Sequence, residues 1–104
     1  MKFKTHNDGK IDANGTSFLG YVTCNYNDLV KIFGEPILGG DKVDAEWEIK
    51  FKDGTVATIY NWKNGKNYMG DKGIETSKIT QWNIGGFNEK ACERVTEVIK
   101  NRKE

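Results

Sequence analysis

The stretch "AEWEIKFKDGTVATIYNWK", residues 45–63, decides how this chain folds. Ala45, Trp47, Ile49 and Phe51 alternate with Glu46, Glu48, Lys50 and Lys52, the period of two that marks a strand with one buried face. Asp53-Gly54 follows at once. A two-residue type I′ turn needs positive φ at both central positions, and Asp-Gly is among the pairs that supply it. "TVATIYNWK" then reads as the return strand. A two-residue turn would set Val56 opposite Phe51, Thr58 opposite Ile49, Tyr60 opposite Trp47 and Trp62 opposite Ala45. Each such pair contributes from a few tenths to about 1 kcal/mol. In this register Tyr60 and Trp62 share the core face with Trp47 and Phe51. The other face, Thr55, Ala57, Ile59 and Asn61, is still half apolar, as in a central strand partly covered on both sides.

Working outward, "SFLGYVT" (17–23) reads as a strand and "NYNDLVKIFGEP" as a short helix. Asn25 or Asn27 can cap its start, Leu29, Ile32 and Phe33 lie on one side, Gly34 suits its end, and Pro36 stops it. Downstream, "KITQWNI" is a third main strand with Thr80, Trp82 and Ile84 on one face, ended by Gly85-Gly86. "FNEKACERVTEVIKNRK" is the strongest helix. Asn88 stands as N-cap, Ala91, Cys92, Val95, Val98 and Ile99 form its apolar stripe, and basic residues close it. The expectation is an α+β fold of order β-α-β-β-β-α, an antiparallel sheet of three to four strands with two helices. The C-terminal helix packs on the sheet. Residues 1–104 read as one domain, with 1–16 a polar leader.

The chain has 104 residues, 30% of them charged, and a formal net charge of +1. That balance speaks against a strongly basic nucleic-acid binder and against an acidic DNA mimic. No run nears the roughly 18 apolar residues of a membrane span, and "MKFKTHNDGK" has no apolar secretory segment. Cys24 and Cys92 read as small buried thiols of a cytoplasmic protein, although a bridge between them is not settled by spacing.

Catalytic patterns are absent from the sequence. His6 stands alone in the polar leader and reads as solvated, without a nucleophile to serve. No CxxC, HExxH or paired-histidine spacing suggests zinc. "NDGKIDANG" fails as a calcium loop, because Lys10 falls where a carboxylate must stand. Asp44, Glu46 and Glu48, continued by Lys50 and Lys52, read as a solubilising row on the outer face of their strand. The expectation is a protein without cofactor, metal or catalytic residues.

The residues that read as a binding surface lie between Lys63 and Lys78. Lys63, Lys66, Lys72 and Lys78 are interleaved with Asn64, Asn67 and Tyr68, and basic groups beside an exposed ring are what a phosphate-and-base ligand requires. Tyr68 is the aromatic expected to face solvent. Gly85 and Gly86, just ahead of a helix, could present backbone N–H groups to an anion. A solvated loop and a plain strand-to-helix turn are the competing readings.

The run "VDAEWEIKFKDGTVATIYNWKNGKNY", "WNIGG" and its short amphipathic helix, and "YNDLVKIFGEP" upstream resemble small proteins encoded by tailed bacteriophages. The likeness spans roughly residues 18–100, and its most specific pieces are "DGTVATIY" (53–60) and "WNIGG" (82–86). It brings no catalytic residues with it. What it implies is a setting: a soluble protein in the cytoplasm of an infected bacterial cell. Phage proteins of this size often inhibit host defence, anti-CRISPR proteins among them, by binding a host protein, and a homodimer is compatible with that role. The alternative is a binder or sponge of single-stranded nucleic acid or a nucleotide signal through the Lys63–Tyr68 loop.

Overall fold

The central hairpin closes through three residues, Lys52, Asp53 and Gly54. In the computed structural model, which describes residues 3–5 and 15–101, the Phe51 N–H donates to the Thr55 carbonyl at 2.8 Å and the Gly54 N–H to the Phe51 carbonyl at 2.9 Å. Gly54 has φ +90°, a left-handed value that glycine adopts without a Cβ penalty. This is a type I turn followed by a bulge glycine, the usual three-residue hairpin loop. Asp53 Oδ1 accepts from the Thr55 N–H at 3.0 Å, and Oδ2 holds Arg94 of the C-terminal helix at 3.2 Å. The Thr55 hydrogen bonds first, and Arg94 after them, hold the Asp53 carboxyl down at about 2.

One extra loop residue overturns the expected register. Between β4 (Ala45–Phe51) and β5 (Val56–Tyr60), Trp47 faces Ile59, Ile49 faces Ala57 and Glu46 faces Tyr60. A shift of one residue turns every side chain of a strand to the opposite face. Ile59 and Ala57 therefore join Trp47, Ile49 and Phe51 in the core, while Tyr60 and Trp62 lie on the other side.

The fold is α+β around one antiparallel sheet. Its strands run in the order β1 (Phe3–Thr5), β4, β5, β6 (Gln81–Gly86), β2 (Ser17–Thr23), and the two-residue β3 (Ile37–Leu38) also pairs with β4. The helices are α1 (Tyr26–Phe33), α2 (Lys66–Met69) and α3 (Lys90–Asn101). The expected β-α-β-β-β-α order survives as β2-α1-β4-β5-β6-α3. β1, β3 and α2 are additions, and β1 takes Phe3–Thr5 out of the polar leader by pairing with the second half of β4.

The caps fall where side-chain chemistry puts them. Asn25 Oδ1 accepts from the Asp28 N–H at 2.8 Å to start α1, and Gly34 at φ +84° ends it. Asn88 Oδ1 accepts from the Lys90 N–H at 3.0 Å ahead of α3. α3 buries Ala91, Val95 and Ile99, one side of a helix at intervals of four, against β6, β5 and β2.

Leu29 and Phe33 of α1 are buried in the same core. There Trp47 and Trp82 meet edge to face at 5.3 Å, and each has its indole N–H satisfied: Trp47 donates to the Gly34 carbonyl at 2.7 Å and Trp82 to the Cys24 carbonyl at 2.9 Å. Burying rings on this scale requires such partners. Cys24 is buried, Cys92 is only half-buried, and the two are unbridged.

Candidate binding site on the outer sheet face

A bulge in β2 builds one side of the site. Phe18 pairs with Gly85 and Gly20 with Ile84, so Leu19 is the extra residue. Residues three apart in a regular strand point to opposite faces, but the bulge re-aims them. Phe18 and Tyr21 therefore share the outer face, their ring centroids 4.9 Å apart.

Across the sheet, Tyr21, Asn83, Tyr60 and Glu46 form one row, because Tyr21 pairs with Asn83, Asn83 with Tyr60 and Tyr60 with Glu46. Trp62 stands edge to face on Tyr60 at 6.3 Å. Phe18 and Tyr21 thus make one wall of a groove of about 360 Å³, Tyr60 and Trp62 the other, and the short Asn83 lies between them. Phe18 and Trp62 are each 48% exposed and Tyr21 is 61% exposed. Both longer helices pack on the opposite face, through Leu29 and Phe33 of α1 and the apolar stripe of α3.

Charge is divided along this face. The ammonium groups of Lys42 and Lys63 lie 5.8 and 5.7 Å from the Trp62 ring centre, and Lys63 is also 5.5 Å from that of Tyr68. Each distance is within cation–π range. Lys63 is the one non-glycine residue with positive φ among the described residues, at +59°, and its N–H donates to the Lys42 carbonyl at 2.8 Å. That left-handed turn brings its ammonium near both rings. On the far side of Tyr60 stands Glu46, whose pKa is raised by burial and then by Glu48. Burial raises the Tyr60 hydroxyl as well, the Asn83 hydrogen bond opposes this, and Glu46 and Tyr21 add to it.

The residues expected to bind are separated by the structure. Lys63 and Tyr68 come together beside Trp62. Asn64 and Asn67 are structural: Asn61 Nδ2 donates to Asn64 Oδ1 at 3.0 Å, and Asn67 Nδ2 donates to the Gly40 carbonyl at 2.9 Å. Lys66 and Lys78 both approach Glu75, at 3.9 and 3.8 Å, and Lys72 is solvent-exposed.

Gly85 and Gly86 lie inside β6, paired with β5 and β2 and buried, not at a helix start. A Cβ on Gly86 would collide with that of Ala91 in α3, and one on Gly85 would meet the Thr58 hydroxyl, so their role is close packing. The solubilising row is also corrected. Asp44 is buried, its carboxylate accepting from Asn61 Nδ2 at 2.8 Å and from the Asn67 N–H at 3.2 Å, and Glu48 is buried too. Asp44 ties the segment around α2 to the sheet.

Phe18, Tyr21, Lys42 and Asn83 were missed as site residues, and Tyr60 and Trp62 were expected in the core. Gly20 within "SFLGYVT" was the available signal, since an interior strand glycine often marks a bulge. Among the described residues no cluster of three His, Cys, Asp or Glu could hold a metal ion, and no helix is long and apolar enough to cross a membrane. His6 lies outside the described residues. No protein-family model matches the chain, and comparison with curated proteins finds no match.

Proposed function

We propose that this is a non-enzymatic binding protein that docks its outer aromatic face on a host protein in an infected bacterial cell, in the manner of a phage-encoded inhibitor of host defence. The division of the sheet carries this reading. The longer helices seal one face, while the other offers Phe18, Tyr21, Tyr60 and Trp62 around a groove. Exposed apolar patches rimmed by polar groups mark interaction sites, and Tyr and Trp are residue types on which binding energy concentrates. The resemblance to tailed-phage proteins supports the cellular setting.

The test is affinity capture from bacterial host cells with the wild-type chain and a Tyr21→Ala/Trp62→Ala variant. Tyr21 is 61% and Trp62 48% exposed, and neither belongs to the core, so the variant is expected to keep its fold. A specific host protein is expected to co-purify with the wild type and to be lost with the variant, and wild-type expression is expected to protect infecting phage. Identical capture by both chains, or none by either, refutes the reading.

The placement of Lys63 near the rings of both Trp62 and Tyr68 favours a second reading, a nucleotide or single-stranded nucleic-acid binder. Its signature is saturable binding of cyclic dinucleotides or short oligonucleotides that weakens steeply with salt.

A further inference from the structure

We infer that the groove between the Phe18–Tyr21 and Tyr60–Trp62 pairs receives one aromatic side chain of the protein partner, flanked in that partner by acidic residues that meet Lys42 and Lys63. The inference rests on the reading of the outer face as a protein-docking surface and specifies the chemistry of what docks.

Width comes first. Tyr21 and Tyr60 stand on β2 and β5, with β6 between them. Two strand spacings put their backbones roughly 9–10 Å apart. Aromatic rings in contact have centroids about 4.5–7 Å apart, so one planar ring entering between these walls reaches both. Asn83 is short enough to leave that space open, and while its amide N–H meets the Tyr60 hydroxyl, its Oδ1 can accept from an indole N–H or a phenol hydroxyl.

Charge then selects the flanks. Lys42 and Lys63 stand at the Trp62 end of the groove, and Glu46 stands beyond Tyr60 in the same row. A nucleic-acid strand laid across the face would carry phosphates onto Glu46, and the whole chain has a net charge of only +1. A peptide places its charges where it needs them. An aromatic anchor with carboxylates on the lysine side satisfies both ends, and anchors of this kind in central pockets dominate protein interfaces.

The test is a titration of isotope-labelled protein, followed by amide chemical shifts, with three probes. Two are pentapeptides with a central tryptophan and two glycines on one side of it, the other side carrying paired aspartates in one and paired lysines in the other. The third is a thymidine pentanucleotide. The aspartate peptide is expected to saturate, to shift Tyr21, Tyr60, Trp62 and Asn83, and to bind about fivefold tighter than the lysine peptide, as two exposed ion pairs allow. That preference is expected to vanish in a Lys42→Gln/Lys63→Gln variant, which removes both charges and keeps the ring slot. Equal affinity for the two peptides, no saturation with either, or tighter binding of the oligonucleotide overturns the inference. Should neither peptide bind while Tyr21→Ala/Trp62→Ala still releases a captured host protein, the anchor chemistry falls and the docking face stands. Peptide binding without any host protein captured has the opposite meaning.

Discussion

Trp47 and Trp62 were both expected in the core, and the hairpin register now separates them. Replacing each by alanine tests that separation. Trp47 is fully buried, packed on Trp82 and Tyr26, with its indole N–H on the Gly34 carbonyl. A buried ring removes roughly 150–250 Å² from water, which at about 25 cal/mol per Å² is about 4–6 kcal/mol. Denatured chains already bury part of this area, which brings the loss in Trp47→Ala to about 3–5 kcal/mol, the range measured for large aromatic truncations. The orphaned Gly34 carbonyl belongs to an exposed residue and can turn to water, so it adds at most about 1 kcal/mol.

Trp62 is 48% exposed and rests on the edge of Tyr60 and two flexible lysine chains, so Trp62→Ala is expected to cost about 1 kcal/mol. Urea denaturation followed by far-ultraviolet circular dichroism reads both. With a slope of about 1.5 kcal/mol per molar, the midpoint falls by about 2–3 M for Trp47→Ala and by under about 1 M for Trp62→Ala. Comparable falls for the two variants would mean that Trp62 is core, and the three-residue loop and its register would be refuted.

Gly86→Ala forces a Cβ against that of Ala91 and should cost about 1–3 kcal/mol, seen as a thermal midpoint lowered by about 5–15 °C; an unchanged midpoint would contradict close helix–strand contact there. Asp44→Ala leaves Asn61 Nδ2 and the Asn67 N–H without their carboxylate partner. The expected cost is about 2 kcal/mol, with faster amide exchange confined to residues 64–74. Glu46→Gln is expected to stabilise. Because burial and Glu48 raise the Glu46 pKa, ionising this group costs more in the folded than in the unfolded chain. The gain is therefore present at neutral pH and fades as pH falls through the raised value toward the ordinary 4.5, which denaturation midpoints across pH 3–8 would show.

Local chemistry was legible in the sequence because its causes are local. The alternation through Ala45–Phe51, the Asn25 cap and Gly34 stop of α1, and the four-residue spacing of Ala91, Val95 and Ile99 each mark an element through neighbours within one or two turns. The α+β class and the seating of the C-terminal helix followed from those patterns. Part of the candidate site was legible for the same reason, since Lys63 stands close in sequence to Trp62 and Tyr68, the two rings it lies near. The rest needed long-range partners. β1 and β3 are two or three residues long and exist only because β4 offers an edge. Asp44 looked like a surface carboxylate until Asn61 and Asn67 enclosed it. Asp53-Gly54 announced a hairpin equally well with a loop of two or three residues, and Phe51 with Thr55 chose three. That choice reversed the faces of β5, because side chains alternate with a period of two and a single-residue slip exchanges inside for outside. Together with the bulge at Leu19, whose partner strand lies more than sixty residues downstream, it placed Phe18, Tyr21, Tyr60 and Trp62 on one open face.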